Sequence, residues 1–314
     1  MALDVALNAV LVVVGLVMLC YGGNWLVNGG VAIAKKFRIN NLVIGMTVVA
    51  YGTSTPELAA SVAAAGKHSG IILGNIIGSN IANIGMVIGI AAIMIPLAVK
   101  KATLKKEMPI MLGFSLLLIV LSVDGEISRY DGIFLIGLLV GFTIYTYRNT
   151  KLAPEDELES VSEKKSVFLR ALGFMAVGVV LLYFGAEFAV NNAVVIAQTL
   201  GISERIIGLT VIAIGTSLPE LITSVIAIRK GHTDIGVGNI IGSNIYNILM
   251  IMGVASVIAS VSVTNQVFYD YLIMMAFSFG LLIVMLRGVI TQKMGIGLAV
   301  AYVIYLASSF MFGL

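Results

Sequence analysis

Apolar residues in this chain come in long runs, neither in the three-and-four stripes of a half-buried helix nor in the alternation of a half-buried strand. A helix needs about 20 such residues to cross the hydrocarbon core of a bilayer. Ten runs of that kind can be placed: 5–34, 41–66, 70–97, 107–123, 130–147, 167–198, 204–229, 235–260, 268–286 and 294–312. Segments that alternate apolar and polar residues are missing, so the crossings are helical and not those of a β-barrel. The pattern predicts an all-α integral membrane protein with ten transmembrane helices. On this reading the first run stays in the protein, because Leu3–Val17 has no basic leader and no small-residue cleavage site.

Composition agrees, and charge adds a direction. The 314 residues are 59% hydrophobic and 11% charged, with a mean hydropathy of +1.06, whereas soluble domains carry about 25% charged residues. With loops alternating sides, one side receives Lys35, Lys36, Arg38, Lys100, Lys101, Lys105, Lys106, Arg148, Lys151, Lys164, Lys165, Arg170, Arg229, Lys230, Arg287 and Lys293. The other receives Lys67, Arg129 and Arg205. Sixteen against three places the first side in the cytoplasm and both termini outside a plasma membrane. Orientation accounts for the basic loops without a nucleic-acid partner. Cys20, the only cysteine, lies in an apolar run and is expected to serve packing.

The runs repeat. Residues 43–64 align without gaps on 206–227 with fourteen identities in twenty-two, and 71–89 align on 235–253 with thirteen in nineteen. The first spans keep the same offset of about 163, so that Gly22 meets Gly185, Asn28 meets Asn191 and Ile39 meets Ile202. Five spans per half is an odd number, which turns the second half upside down relative to the first. Inverted repeats of this kind belong to secondary transporters, with the binding site where the halves meet. The expected organisation is 1–147 as the first five-helix repeat, 148–166 as a cytoplasmic linker and 167–314 as the second, inverted repeat. The linker's acidic run, Ala153 to Glu159, reads as solvated chain. It lacks the ligand pattern of an EF-hand loop.

Three acidic residues fall well inside apolar runs: Glu57, Glu187 and Glu220. A charged carboxylate there costs about 2.5–3.5 kcal/mol even on the lenient insertion scale, and Glu57 and Glu220 carry that cost at matched positions. Brought together they would repel unless protons or a divalent cation neutralised them. Glu187 matches Asn24 instead, so it is expected either to support the site from behind or to pack between helices, and not to belong to the site itself. Before each paired glutamate stand Gly52-Thr53-Ser54-Thr55-Pro56 and Gly215-Thr216-Ser217-Leu218-Pro219. Proline gives no N–H to the carbonyl four residues back, so the turns Ala50 to Thr53 and Ala213 to Thr216 are expected to open. Freed carbonyls in a membrane must face a cavity or a ligand. Calcium takes six to eight oxygens, and two carboxylates, carbonyls near Thr53 and Thr216, and local hydroxyls are the donors at hand.

The third and eighth spans carry Gly74-Asn75-Ile76-Ile77-Gly78-Ser79-Asn80-Ile81-Ala82-Asn83 and its counterpart Gly238 to Asn247. Ser79 and Asn83 share a helix face, as do Ser243 and Asn247, with Asn75 and Asn239 continuing each stripe. Ser79, Asn83, Ser243 and Asn247 are expected to touch the cation. Asn75, Asn80, Asn239 and Asn244 either line the site or serve as amide glue between helices. His68 and His232 sit in loops without metal-ligand spacing, and no nucleotide-binding P-loop is present, which argues against a zinc site and a primary pump.

The paired G-T-S-x-P-E-L motifs, each followed by G-N-I-I-G-S-N-I-x-N, resemble the alpha repeats of the cation/calcium exchanger superfamily, here at about 41–97 and 204–260. The pattern is most similar to the sodium/calcium branch, since proton/calcium exchangers carry G-N-x-x-E at the glutamate. The resemblance implies that Glu57 and Glu220 are shared calcium and sodium ligands and that the Thr53 and Thr216 carbonyls complete the calcium site. It implies one flanking sodium site from Ser54, Ser79 and the Ala50 carbonyl. The other would use Ser217, Ser243 and the Ala213 carbonyl. Asn83 and Asn247 would border the centre, and asparagine at 247 argues against potassium cotransport. The implied activity is calcium-for-sodium antiport by alternating access, with no enzyme chemistry and no cofactor beyond the transported ions. A proton/calcium antiporter is the nearest rival. A passive channel, with the glutamates as a selectivity ring, and an intramembrane hydrolase are weaker ones.

Overall fold

The computed structural model describes residues 2–37, 39–148, 165–201 and 213–312. Most of the expected linker and the beginning of the 204–229 run, with Ile202 and Arg205, lie outside them. In chain order the helices are α1 (Ala2–Phe37), α2 (Asn41–Ile44), α3 (Ala50–Thr53), α4 (Thr55–Ala64), α5 (Ser69–Ala82), α6 (Gly89–Met94), α7 (Met108–Leu121), α8 (Arg129–Arg148) and α9 (Lys165–Thr199). Then follow α10 (Ala213–Thr216), α11 (Leu218–Arg229), α12 (Thr233–Tyr246), α13 (Gly253–Ile258), α14 (Val267–Met285) and α15 (Gln292–Phe312). Among the described residues, four wider π-helical turns are spliced between them: Gly45–Val49, Asn83–Ile88, Thr103–Glu107 and Asn247–Met252.

Six helical stretches among the described residues are long and apolar enough to cross a membrane: Val5–Phe37, Ser69–Met94, Arg129–Arg148, Phe168–Thr199, Thr233–Ile258 and Val267–Met285. The expected span 41–66 is not one regular helix. It breaks at Ser54, whose φ and ψ of −83° and 9° leave the helical range, and restarts at Thr55 with Pro56 in its first turn. The break before α11 is the same, at Ser217 with φ −91° and ψ 5°. Proline is tolerated in a first turn, where its missing N–H has no partner to lose. Each break therefore falls where the sequence turns proline from a defect into a helix start.

Two compact units divide the chain. The first holds Met1–Thr55 and Thr143–Gly242. Its frame is α1 against α9, over a core of Leu19, Leu26, Val27, Leu182, Ala186 and Ile235. A Cβ on Gly22 would meet the Gly178 carbonyl oxygen at 2.9 Å, and one on Gly185 would meet that of Gly15 at 2.9 Å. Small residues let two backbones touch in this way, and the two contacts exchange under the repeat offset. The outer faces, with Leu7, Val10 and Val13 of α1 and Val177, Val180 and Phe184 of α9, are exposed, as suits residues in contact with lipid. Cys20 is on that exposed face, so it does not take the packing role expected of it: helical periodicity turns it outward.

The second unit holds Pro56–Phe142 and Ser243–Leu314. Its centre is α5 with the π turn after it and α13 with the π turn before it; both π turns are wholly buried and the helices partly so. Four two-residue strands tie its loops: β1 (Leu97–Ala98) pairs antiparallel with β4 (Val289–Ile290), and β2 (Glu126–Ile127) with β3 (Val261–Ser262). The register Leu97↔Ile290 becomes Val261↔Ile127 when each residue is replaced by its repeat mate. Close glycine contacts exchange similarly, Gly89 against Gly295 and Gly253 against Gly132.

Candidate functional site

Both paired glutamates open a helix after a break. Glu220 stands in the first turn of α11 and Glu57 in the first turn of α4, each 1% exposed. A first turn presents unpaired N–H groups and the positive end of the helix dipole, which suits an acidic side chain. The glutamates belong to different units.

In the first unit the Ser54 hydroxyl, at the end of α3, donates to Glu220 Oε1 at 3.1 Å. Thr53 Oγ1 donates to Asn239 Oδ1 at 3.1 Å and lies 3.3 Å from the Ala50 carbonyl. Asn239 in turn donates to Ser224 Oγ at 2.9 Å. Thr53, Ser54, Ser217, Glu220, Ser224 and Asn239 are all buried. Ser217 Oγ and Thr223 Oγ1 are buried oxygens with no hydrogen-bond partner among the described residues. Thr216 and Ala213 lie in α10, where their backbone carbonyls belong to the turn before the break.

In the second unit Asn75 donates to the Glu57 carbonyl at 3.1 Å and to Ser61 Oγ at 2.9 Å. Repeat offset maps the Asn75–Ser61 bond onto Asn239–Ser224. Ser79 and Ser243 are both buried in the packed helices. Beside them four asparagines form two reciprocal bonds: Asn83 Nδ2 to Asn244 Oδ1 and Asn247 Nδ2 to Asn80 Oδ1, both 3.0 Å. The clasp uses one amide N–H of Asn83 and one of Asn247 and neither residue's acceptor. Oδ1 of each is buried and accepts no hydrogen bond among the described residues. Asn80 and Asn244 send their own donors to sulfur, Met274 Sδ at 3.7 Å and Met111 Sδ at 3.6 Å. These methionines are again repeat mates.

The alternatives left open for the asparagines thus separate. Asn75, Asn80, Asn239 and Asn244 spend polar atoms on neighbours, while Asn83 and Asn247 keep an oxygen unspent. Sequence reading missed Ser61 and Ser224, although their identity in the repeat alignment singled them out. Glu187 is not packed between helices as expected: it is exposed on α9 and lines a cavity of about 290 Å³ with Phe184, Phe188, Asn191 and Asn192. Also missed was the turn after α11, where Lys230 Nζ donates to Asn24 Oδ1 at 2.5 Å and Asn28 Oδ1 at 2.6 Å. Partial burial holds Lys230 below the usual lysine value. His232 in the same turn is also lowered, first by burial and then by the charges of Lys35 and Lys230.

Comparison with known proteins places this arrangement among relatives. The family described as sodium/calcium exchanger protein matches residues 7–148 and 170–311. The chain is similar to the sodium/calcium exchanger MaX1 of Methanosarcina acetivorans, 32% identical over 98% of this chain and 99% of that protein. It is 37% identical to the inner membrane protein YrbG of Escherichia coli over 80% of each. Among solved structures, the sodium-calcium exchanger NCX_Mj soaked with 10 mM Na+ and zero Ca2+ superposes with a TM-score of 0.85 at 35% identity, covering 97% of this chain and 99% of that one.

Proposed function

The chain belongs to the sodium/calcium exchanger protein family, a multi-pass membrane cation/calcium antiporter, and from that premise we propose that it exchanges calcium for sodium at a site built on Glu57 and Glu220. The observation that carries the reading is the pair itself: two repeat-matched carboxylates in apolar chain, each in the first turn after a break and each 1% exposed. Calcium neutralises the pair, and sodium ions do so in its place. An empty pair holds about two negative charges against a barrier that penalises each, so the loaded forms cross and the empty one stalls. That condition couples the two fluxes.

In this reading calcium takes the carboxylates and the Thr53 and Thr216 carbonyls. Sodium takes Ser54, Ser79 and the Ala50 carbonyl on one flank and Ser217, Ser243 and the Ala213 carbonyl on the other. Asn83 and Asn247 offer their unspent oxygens at the border, and Asn75 and Asn239 hold the surrounding helices. The buried Ser217 oxygen supports the second flank. No group other than the transported ions takes part, and no enzyme chemistry is assigned.

Ten spans in two inverted repeats, 1–147 and 167–314, provide the frame, in a plasma membrane with both termini outside. Strand pairing supports that count. β1 and β4 lie in the loops after the third and ninth spans, and β2 and β3 in those after the fourth and eighth. Ten spans put the members of each pair on the same side, whereas one missed span between them would put them on opposite sides. The exchangeable register and the asparagine clasp support the two-fold relation.

The test is radiocalcium uptake into proteoliposomes loaded with sodium, against potassium-loaded controls without a pH gradient. Uptake that needs internal sodium and disappears in Glu57→Gln and in Glu220→Gln is expected. Near-normal uptake in either variant refutes the site. Uptake indifferent to sodium but driven by a proton gradient reassigns the counter-ion.

A further inference from the structure

A buried serine or threonine on a helix ordinarily gives its hydroxyl proton to the carbonyl three or four residues back. Hydroxyls of this chain do so repeatedly: Thr47 bonds to the Val43 carbonyl at 2.6 Å, Ser115 to that of Met111 at 3.0 Å and Ser278 to that of Met274 at 2.9 Å. Thr53 departs from the habit. Its own-helix acceptor, the Ala50 carbonyl, lies 3.3 Å from Oγ1, and Asn239 Oδ1 lies closer at 3.1 Å. A hydroxyl has one proton to give, so these two oxygens compete for it. Thr53, Asn239 and Ser224 are wholly buried and all belong to the first unit.

Asn239 is held in place for that competition. Its Nδ2 donates to Ser224 Oγ of α11 at 2.9 Å, which leaves the amide oxygen turned to Thr53. On either side of it α12 lies close against the chain that leads into α3: a Cβ on Gly238 would meet the Leu42 carbonyl oxygen at 2.6 Å, and one on Gly242 that of Met46 at 2.6 Å. At stake is the Ala50 carbonyl, which has two lone pairs. One accepts the Ser54 N–H at 3.0 Å, the ordinary helical bond. The other is open to the Thr53 hydroxyl or to a cation. We propose that Asn239 is the positioning residue that sets sodium affinity on this flank: by accepting the Thr53 hydroxyl it keeps that proton off the Ala50 carbonyl and leaves the second lone pair to the ion. Asn239 itself does not touch the ion. The inference rests on the proposed sodium site at Ser54 and the Ala50 carbonyl, and it separates sodium from calcium, to which that reading gives the Thr53 carbonyl instead.

The test reads ion binding without transport, from the rise in melting temperature of the full chain in detergent as sodium replaces choline, and separately as calcium is added. In Asn239→Ala the Thr53 proton returns to the Ala50 carbonyl, and sodium affinity should fall about three- to tenfold, the scale of one hydrogen bond. Calcium affinity should stay within about twofold. Thr53→Val then provides the decisive background, because it has no hydroxyl to return. Between Thr53→Val and Thr53→Val with Asn239→Ala, sodium affinity should change by less than about 1.5-fold, a coupling that a double-mutant cycle isolates. If Asn239 served packing alone, its loss would weaken binding in both backgrounds. Equal falls in the two backgrounds, an unchanged sodium affinity in Asn239→Ala, or an equal loss for calcium overturns the inference. If Asn239→Ala does not insert, Asn239→Leu keeps the volume, removes the acceptor and is judged by the same comparison. A native chain stabilised by calcium but not by sodium refutes the proposed sodium sites and this inference together. A native chain that binds sodium while the variants fail the comparison refutes the inference alone.

Discussion

Asn83→Ala takes two things from the second unit at once. It deletes the donor that holds Asn244 Oδ1 at 3.0 Å, and it deletes an oxygen that is buried and accepts nothing. The lost bond has a net worth of about 0.5–1.5 kcal/mol, and a buried acceptor left unsatisfied raises the loss to about 1–3 kcal/mol. Asn244→Ala removes the same bond from its other end and strands the Asn83 donor, so its stability cost falls in the same range. What differs is the unspent oxygen, which Asn83→Ala removes and Asn244→Ala leaves in place. If that oxygen serves the cation, the two variants match in stability and part in affinity. Losing one neutral ligand at about 1.4 kcal/mol is a tenfold weakening, so calcium affinity should fall about tenfold in Asn83→Ala and stay within about threefold in Asn244→Ala. The offset provides an internal replicate, because Asn247→Ala should behave as Asn83→Ala and Asn80→Ala as Asn244→Ala. Unfolding in detergent gives the stability, and the calcium dependence of sodium-driven uptake gives the affinity. Equal affinity losses in Asn83→Ala and Asn244→Ala at equal stability would refute the assignment of the oxygens.

Two further outcomes follow from packing and charge. Gly22→Ala and Gly185→Ala place a Cβ 2.9 Å from a backbone oxygen of the facing helix. Each should cost about 1–3 kcal/mol in detergent unfolding, whereas Gly113→Ala, with nothing within 4 Å of its added Cβ, should stabilise by about 0.4–1 kcal/mol. His232 binds its proton less readily in the fold than in the unfolded chain, because burial and the charges of Lys35 and Lys230 lower it. Above its ordinary value of about 6.5 both forms are neutral there and nothing is lost. As pH falls through 6.5 towards the lowered native value, the unfolded chain takes the proton first and stability drops. His232→Gln should flatten that part of a melting-point profile measured between pH 8 and 5, and an unchanged acid limb would contradict the assignment.

Sequence alone made legible whatever depends on composition or on matched copies. Hydropathy located the runs, and proline placed the breaks to within two residues of Ser54 and Ser217, because a missing N–H acts locally. The repeat picked out Glu57, Glu220 and the asparagine stripes. What stayed hidden depends on which way a side chain is spent. Eight asparagines and serines in two matched motifs look equally available in sequence, and only the reciprocal clasp separates Asn83 and Asn247 from Asn80 and Asn244. Glu187 and Cys20 were misplaced for a related reason. In a chain that is apolar all round, periodicity carries little information about which face is packed, since lipid and core reward the same residues. Lys230 was read as one more orienting charge, and its two amide partners lie more than two hundred residues away.

The π turns were not foreseen either, and their placement constrains what the irregular backbone is for. One begins at Asn83 and another at Asn247, the two residues whose oxygens are unspent. Widening a helical turn shifts its hydrogen-bond ladder by one residue and re-aims the side chain at its edge, an arrangement found mostly at functional sites. A defect tolerated by chance would fall at one position in one copy. Here the wide turns recur at repeat mates, as do the breaks at Ser54 and Ser217. Within a bilayer, backbone that leaves the regular ladder is tolerated only when buried in protein or facing a water-filled cavity, and all four positions are buried. Buried polar oxygens, broken ladders and acidic side chains thus recur at matched positions in the two halves. Folding alone would be served better by regular helices there, so the irregular turns support the proposed ion site as its backbone share.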